Sequence, residues 1–296
     1  MDKAIRIIGV PMDLGQAQRG VDLGPGAIRY AGLSARLKAL GYEIHDAGNI
    51  DVPVRDSLPG GPERKFLPSI QRICEEVYLA GRTAVEEGFI PVFLGGDHSI
   101  AIGTIGGVTH KEPSGVIWID AHGDFNTPES SRSGNIHGMP LATLLGSGFP
   151  ELVAVGRPGA KVKAEDVVMI GIRDLDSEER KQLLNCGVTV YTMRDIDEQG
   201  MGAITRKALA KLSHHKRIHI SIDVDSLDPH EAPGVGTPSS GGLTYREAQL
   251  LMEILADSCK VTSADIVEIN PILDLANSTA RMAVDLAASL FGKSIL

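Results

Sequence analysis

The chain has 296 residues, of which 43% are hydrophobic and 23% charged, with 29 Lys and Arg against 38 Asp and Glu. This composition excludes collagen, mucin and extensive disorder, and a chain of this length buries a core without needing disulfides. The net charge of −9 disfavours nonspecific binding to nucleic acids or acidic membranes, because phosphate groups attract basic surfaces.

Short apolar runs alternate with longer segments of helical periodicity along the chain. In chain order, the predicted strands are 4–10, 89–94, 115–119, 167–171, 188–191, 217–222 and 265–269. The predicted helices are 26–40, 67–87, 177–185, 201–212, 245–258 and 279–290, with loops at 49–63 and 127–135. Several strands are apolar throughout, as in sheets covered on both faces. The pattern predicts an α/β fold, a mostly parallel sheet between two helical layers, in one domain over residues 1–296.

The three cysteines, Cys74, Cys186 and Cys259, are far apart and form no paired motif, which indicates reduced thiols. The N-terminus lacks the pattern of a signal peptide. No stretch reaches the roughly 18 apolar residues that a membrane span needs. We therefore predict a cytoplasmic protein without membrane association.

Polar residues follow four of the predicted strands, at the sheet edge where parallel α/β folds bind ligands. The segments are Gly-Gly-Asp-His at 95–98, Asp-Ala-His-Gly-Asp at 120–124, Asp-Val-Asp at 223–225, and Glu-Ile-Asn-Pro at 268–271, which begins within the last strand. Side chains two residues apart in an extended chain share a face. On that basis Asp120, His122 and Asp124 are expected to converge, and Asp223 to share a face with Asp225.

With His98, these residues place four carboxylates and two imidazoles near one edge of the sheet. Crowded like charges are costly unless a cation compensates them, so the set predicts more than one divalent ion. Oxygen-rich ligation with some imidazole and no thiolate favours Mn²⁺ over Mg²⁺ or structural Zn²⁺. Two such ions about 3.5–4 Å apart would lower the pKa of a shared water and supply hydroxide at neutral pH.

The other histidines give weaker signals. His45, His110 and His230 stand alone, which is typical of surface or loop positions. The pair at 214–215 precedes Lys-Arg and indicates a solvated basic turn, whereas His219 is expected to be a hydrogen-bonded histidine within a strand.

The strand-end motifs resemble those of the arginase/agmatinase ureohydrolases, and within that family the pattern is similar to the arginases. The resemblance extends from residues 9–15 to the last helix and rests on 95–99, 120–126, 133–138, 221–225 and 268–271. It implies two Mn²⁺ ions per subunit and hydrolysis of L-arginine to L-ornithine and urea by a metal-bridging hydroxide. It also implies a homotrimer or homohexamer, since Arg246-Glu247 match a segment at subunit contacts; an exposed charge pair at a helix start is the alternative.

The resemblance also implies roles for individual residues. The implied metal ligands are His98 and Asp124 for one ion, His122 and Asp225 for the other, and Asp120 and Asp223 as bridges. The implied catalytic residues are His137 for proton transfer, Glu268 for orienting the guanidinium group, and Asp124. The implied substrate contacts are Asn126, Ser133 and Asp176 at the amino-acid end, with Glu179 behind Asp176, and Thr237 and Glu268 at the guanidinium end. For Asp176, capping of the helix at 177 is the alternative.

Three other functions remain open at this point. A related ureohydrolase would act on agmatine or a guanidino acid, although such enzymes usually lack the Asn-Thr-Pro and Ser-Gly-Asn pattern found at 126–128 and 133–135. A non-catalytic metal- or arginine-binding protein would not need His137 and Glu268. A metal-dependent amide hydrolase has a compatible ligand set but not the family motifs.

Overall fold

Eight parallel strands form one sheet in the computed structural model, within the described residues 4–58 and 66–294. The strands are β1 (Ala4–Val10), β2 (Glu43–Asn49), β3 (Ile90–Gly95), β4 (Gly115–Ile119), β5 (Val167–Ile172), β6 (Thr189–Thr192), β7 (Ile218–Asp223) and β8 (Val261–Val267). Their order across the sheet is β2-β1-β3-β8-β7-β4-β5-β6. The predicted α/β fold with a parallel sheet is confirmed, and the last two strands in the chain occupy the centre of the sheet.

Helices cover both faces of the sheet, as predicted. They are α1 (Gly24–Tyr30), α2 (Leu33–Ala39), α3 (Leu67–Glu86), α4 (Ala101–Val108), α5 (Pro140–Leu144), α6 (Pro150–Val153), α7 (Ser177–Cys186), α8 (Met193–Gln199), α9 (Met201–Lys211), α10 (Tyr245–Asp257) and α11 (Ser278–Leu290). Strand β4 illustrates the layering: Ile117 and Ile119 pack with the layer of α1, α2, α9, α10 and α11, whereas Val116 and Trp118 pack with α4 and α5. Successive side chains along β4 therefore pack into two separate apolar layers, one on each face of the sheet.

Several elements differ from the sequence prediction for identifiable reasons. The helix predicted at 26–40 is two helices, because Gly32 between them has a left-handed backbone (φ 93). Strand β2 was not predicted, since it is a polar and mostly exposed edge strand. Helix α4 was not predicted because it is rich in glycine. Those glycines permit close packing: a Cβ at Gly103 would lie 2.5 Å from the carbonyl oxygen of Cys74 in α3.

The predicted loops and the last strand need smaller corrections. The loop predicted at 49–63 includes the final residue of β2 and a 3₁₀ turn at Arg55–Ser57, and its residues 59–63 lie outside the described part of the chain. The strand predicted at 265–269 runs from Val261 to Val267, so Glu268 follows the strand. Among the described residues, no helix combines the length and apolar character needed to cross a membrane.

Candidate metal centre and active site

The four central strands each deliver a polar side chain to one edge of the sheet. His98 follows β3, Asp120 follows β4, Asp223 ends β7 and Glu268 follows β8. These strands are neighbours in the order β3-β8-β7-β4, so residues up to 170 positions apart in sequence meet at their carboxyl ends. The predicted location at the carboxyl edge is where the structure places these residues.

The local geometry that brings the ligands together differs from the extended chain expected from sequence. The backbone leaves β4 at Ile119 and bends, and Asp124 has a left-handed conformation (φ 48). Asp225 lies in a 3₁₀ turn, Val224–Ser226, rather than in a strand. The side chains converge through these turns, and the expectation that strand alternation would align them is wrong. Positive φ at a residue other than glycine carries strain that functional sites often retain.

Three carboxylates surround one nitrogen of His98. Its Nδ1 lies 3.0 Å from Asp124 Oδ2, 3.2 Å from Asp223 Oδ2 and 3.3 Å from Asp120 Oδ2. All four residues are buried. One imidazole and three carboxylates thus form the first of two clusters.

A second cluster shares Asp120 with the first. His122 Nδ1 lies 3.1 Å from Asp225 Oδ2 and 3.5 Å from Asp120 Oδ1, the oxygen that does not face His98. Asp120 therefore presents one oxygen to each imidazole. This is the arrangement expected of a carboxylate between two ions.

The charges of the two clusters do not balance. Burial, with the neighbouring charge of Asp120, raises the pKa of Asp124 to about 6. Burial and the charges of Asp225 and Asp120 raise the pKa of Asp223 well above its usual value. Even with both histidines protonated, four carboxylates would leave two negative charges uncompensated. The site is therefore built for added positive charge.

The hydrogen bonds around His98 leave a lone pair directed at the carboxylates. Ser221 Oγ donates to Asp265 Oδ1 at 2.6 Å and so accepts from His98 Nε2 at 2.8 Å. In the neutral ring, Nδ1 then carries no proton. Among the described residues, His98 Nδ1 and Asp124 Oδ2 are buried without a hydrogen-bond partner. Two acceptors facing each other at 3.0 Å repel unless a proton or a metal cation lies between them, and an imidazole beside three carboxylates fits a metal ion.

A buried network holds His98 in place. Asp265 Oδ2 accepts a hydrogen bond from Thr104 Oγ1 at 2.5 Å and contacts His219 Nε2 at 3.0 Å. The His98 ring also stacks on Trp118 at a centroid distance of 4.1 Å. Sequence reasoning did not assign Asp265 to the site, although a carboxylate inside an apolar strand was an available signal. Networks of this kind fix the tautomer and orientation of a ligating histidine.

We expect Ser221→Ala to weaken metal binding by roughly 10- to 100-fold, because His98 Nε2 loses its acceptor and the ring is no longer held with Nδ1 free. Metal retained after dialysis against a graded chelator series measures the effect. Ser263→Ala is the matched control, since Ser263 is equally buried but contacts His219 at 2.9 Å rather than His98. Equal metal affinity in both variants would contradict the orienting role of Ser221.

Glu268 and His137 lie in contact beside the clusters. Glu268 Oε1 accepts from the His98 N–H at 2.9 Å and contacts His137 Nδ1 at 3.0 Å, while Gln16 Nε2 donates to Oε2 at 2.7 Å. Burial lowers the pKa of His137, but the nearby carboxylates of Glu268, Asp124 and Asp97 together have the larger effect and raise it to about 9. Burial raises the pKa of Glu268, but His137 and the hydrogen bonds from the His98 N–H and Gln16 together shift that pKa below its usual value. At neutral pH the pair is an imidazolium beside a carboxylate. Gln16 gave no signal in the sequence.

A cleft of about 290 Å³ opens above the clusters. Ten of the predicted site residues line it, namely His122, Asp124, Asn126, Ser133, His137, Asp176, Glu179, Asp223, Asp225 and Thr237. His98, Asp120 and Glu268 are fully buried beneath. A larger hollow of about 630 Å³ lies beyond Ser133 and contains Arg132, but none of the predicted metal ligands. We therefore assign the chemistry to the smaller cleft.

Asp176 and Glu179 organise one wall of the cleft. Asp176 Oδ2 accepts from Asn126 Nδ2 at 3.3 Å. Asp176 is also the N-cap residue of α7 and forms a capping box with Glu179. It therefore both caps the helix and lines the cleft. Both oxygens of Glu179 accept backbone N–H groups, from Phe125 at 2.8 Å and from Asp176 at 3.2 Å. Glu179 thus ties the loop after β4 to the start of α7.

Thr237 and Ser133 also line the cleft. Thr237 Oγ1 donates to Asp225 Oδ2 at 2.9 Å, so it contacts a predicted metal ligand directly. Ser133 is exposed, and its Oγ accepts from the Asn135 N–H at 3.2 Å.

The remaining histidines occupy several environments. His45 and His230 are exposed and pair with Glu43 and Asp228, and His110 contacts Tyr78. His219 is buried and hydrogen-bonded within the sheet, as predicted. The solvated turn predicted at 214–215 is wrong for His215, which is only 7% exposed and contacts Asp166.

Comparison with known proteins identifies the family. The model of the arginase family matches residues 3–292. The chain belongs to the arginase family.

Curated and solved members of the arginase family match over the full chain. The arginase of Bacillus subtilis (strain 168) is 51% identical over 298 residues, covering all of both chains. The solved structure of the arginase from Bacillus caldovelox has a TM-score of 0.96 at 49% identity, and the match covers all of both chains. The Entamoeba histolytica arginase, solved in complex with L-ornithine, has a TM-score of 0.89 at 30% identity and covers 99% of this chain and 100% of that one. The resemblance inferred from the strand-end motifs, and with it the assignment to metal-binding hydrolases, is confirmed.

Proposed function

We propose that this member of the arginase family hydrolyses L-arginine to L-ornithine and urea at the cleft above Asp120. The observation that supports this most directly is the pair of His–carboxylate clusters that share Asp120, at the base of a cleft whose far wall carries Asp176 and Asn126. The clusters suit a binuclear metal site, and the far wall suits the polar end of an amino-acid substrate. We also propose that residues 1–296 form a single domain.

The residues suited to hold two Mn²⁺ ions per subunit are the six of the clusters. His98 and Asp124 would hold one ion and His122 and Asp225 the other, with Asp120 and Asp223 between them. Manganese is favoured because four of the six donors are carboxylates, with two imidazoles and no thiolate. When bound, the metal supplies Lewis acidity and lowers the pKa of a coordinated water.

Glu268 and His137 perform complementary tasks beside that centre. The buried Glu268 carboxylate stays ionised and offers a planar acceptor for the fork of a guanidinium group. Protonated His137, with its pKa of about 9, can give a proton to the amine nitrogen as the C–N bond breaks. Once His137 has lost that proton, the adjacent carboxylate favours its return.

The far wall recognises the amino-acid end of the substrate in this proposal. Asp176 offers a carboxylate to the α-ammonium group, and Asn126 and Ser133 offer donors to the α-carboxylate. Thr237 lines the guanidinium end through its bond to Asp225. Glu179 acts indirectly by fixing the backbone of Asp176.

Urea formation from a panel of guanidines tests the proposal. L-Arginine should be strongly preferred over agmatine and 5-guanidinopentanoate, because agmatine lacks the α-carboxylate and 5-guanidinopentanoate lacks the α-ammonium group that the far wall meets. Activity should be lost after chelation and return with Mn²⁺. Equal or better turnover of agmatine would overturn the substrate assignment, and urea formation that persists after the metal is removed would overturn the metal assignment.

We expect a trimer-based assembly, a homotrimer or homohexamer, in solution. Arg246 is 68% exposed and makes a long contact of 3.7 Å with Glu253, so its guanidinium remains available to a second subunit. Glu247 is instead engaged in the capping box of α10 with Thr244. Light scattering at working concentration measures the mass, and a monomer would contradict the expectation. Arg246→Ala should shift the assembly toward smaller species, whereas Arg194→Ala, on exposed α8, should not.

We place the protein in the cytoplasm. The support for this is chemical: Cys74, Cys186 and Cys259 all carry free thiols, which persist in a reducing compartment.

A further inference from the structure

Two histidines and an aspartate meet at the opposite end of the sheet from the active site. His215 Nε2 lies 2.7 Å and His214 Nε2 lies 2.9 Å from the same oxygen, Asp166 Oδ1. The three ligand atoms lie within 4.8 Å of one another. The imidazole rings are neighbours, with centroids 4.1 Å apart and planes tilted by 44°.

The position of this cluster separates it from the active site. Asp166 immediately precedes β5, and the histidine pair lies three residues before β7, so the cluster sits at the amino ends of the strands. The proposed manganese ligands lie at the carboxyl ends. Strands of five or six residues put the two groups on the order of 15–20 Å apart.

One nitrogen in the cluster has no hydrogen-bond partner. His215 is 7% exposed, and its Nε2 is a buried polar atom without a partner of suitable geometry among the described residues. Asp166 Oδ1 is instead hydrogen-bonded to His214 Nε2. A buried imidazole nitrogen that lies 2.7 Å from a carboxylate oxygen without being aligned for a hydrogen bond to it is costly, and a shared cation would satisfy all three atoms.

The donors favour a different metal from the active site. Two imidazole nitrogens and one carboxylate oxygen form a set typical of Zn²⁺, with a fourth position left for water. Tetrahedral Zn²⁺ with ligands at about 2.1 Å separates its ligand atoms by about 3.4 Å. The present distances of 2.7 and 2.9 Å reach that value with movements of less than about 1 Å. His214 is 57% exposed and can move toward solvent.

We infer that Asp166, His214 and His215 form a third metal site, selective for Zn²⁺ and related borderline ions such as Co²⁺. An ion there would join the segment before β5 to the segment before β7, across the amino end of β4, which lies between them in the sheet. It would stabilise the native sheet without touching the catalytic cleft.

Cobalt binding by the full-length protein tests this inference, because Co²⁺ can also occupy the active site and tetrahedral Co²⁺ is coloured. Equilibrium dialysis followed by metal analysis should find three ions per wild-type chain. His214→Ala and His215→Ala should each retain two, with affinity for the third ion reduced by more than about a hundredfold, and Zn²⁺ should no longer raise their Tm. Urea formation with Mn²⁺ should match the wild type in both variants.

His230→Ala is the matched control. His230 also contacts an aspartate, Asp228, at 2.6 Å, but it is exposed and has no second histidine beside it. This variant should retain the third ion. His214→Ala serves if the buried His215→Ala fails to fold. The inference is overturned if the wild type binds two ions, or if His214→Ala still binds three.

Discussion

Asp120→Asn should abolish metal binding and lower urea formation by about a thousandfold or more, since an enzyme of this kind depends on its ions for several kcal/mol of the rate enhancement. The carboxylate accepts one hydrogen bond at each oxygen, from the His122 N–H at 2.7 Å to Oδ1 and from Trp118 Nε1 at 2.8 Å to Oδ2. In either orientation an asparagine amide would place its NH₂ against one of these donors. The asparagine amide is therefore a poor metal ligand, and it also cannot accept both of these hydrogen bonds.

Metal analysis and urea assays on the purified variant measure this loss together. Asp285→Asn is the control, because Asp285 is a partly exposed surface residue that pairs with Arg36 at 3.0 Å. The control should keep both ions and full activity. Two tightly bound ions in Asp120→Asn would show that Asp120 does not bridge them.

Asp176→Ala should lower kcat/KM for L-arginine by on the order of a hundredfold while the metals stay bound. The carboxylate lines the cleft, and the loss of a contact at the amino-acid end of the substrate would misplace the guanidinium carbon by an amount that costs about this much. Because 5-guanidinopentanoate, the analogue of arginine without the α-ammonium group, has nothing for Asp176 to contact, its turnover should change less. The preference for arginine over 5-guanidinopentanoate should therefore shrink.

Two further variants separate substrate recognition from helix capping. Asp176→Asn keeps a side chain that caps helices well but removes the charge, so it should lose arginine turnover with little change in Tm. Thr244→Ala removes the equivalent cap of α10, away from the cleft, and should lower stability by about 1 kcal/mol with kcat/KM unchanged. If Asp176→Asn retains wild-type turnover and preference, Asp176 is only a cap.

The sequence predicted best the elements that bury a long and regular set of apolar side chains. Strand β4 and helix α3 were predicted to within a residue because their apolar patterns extend over the whole element. The prediction missed β2, α4 and the short helices α5, α6 and α8, and for β2 and α4 the reason is that their stability comes from tertiary contacts. Edge strand β2 is polar, and α4 is glycine-rich because it lies directly on α3. A local sequence pattern shows neither the edge position of β2 nor the close packing of α4 on α3.

The sequence identified most residues of the candidate site, but it did not predict the backbone turns that bring them together. Acidic and histidine residues at the ends of apolar strands identified the cluster residues, since parallel strands bring their carboxyl ends together. The turn at Asp124 and the role of Asp265 depend on packing that no local pattern encodes. The same holds for His215, whose burial follows from the segment before β5 lying against the segment before β7.

The insertion of β7 and β8 between β3 and β4 has a consequence for synthesis on the ribosome. When β3 and β4 have emerged, neither has its eventual inner neighbour: the inner edge of β4 stays unpaired until β7 is made, and that of β3 until β8 is made. The sheet cannot close, and the site cannot assemble, before nearly the whole chain is available. An N-terminal fragment ending before β7 should therefore be prone to aggregation and dependent on chaperones, rather than a smaller folded unit.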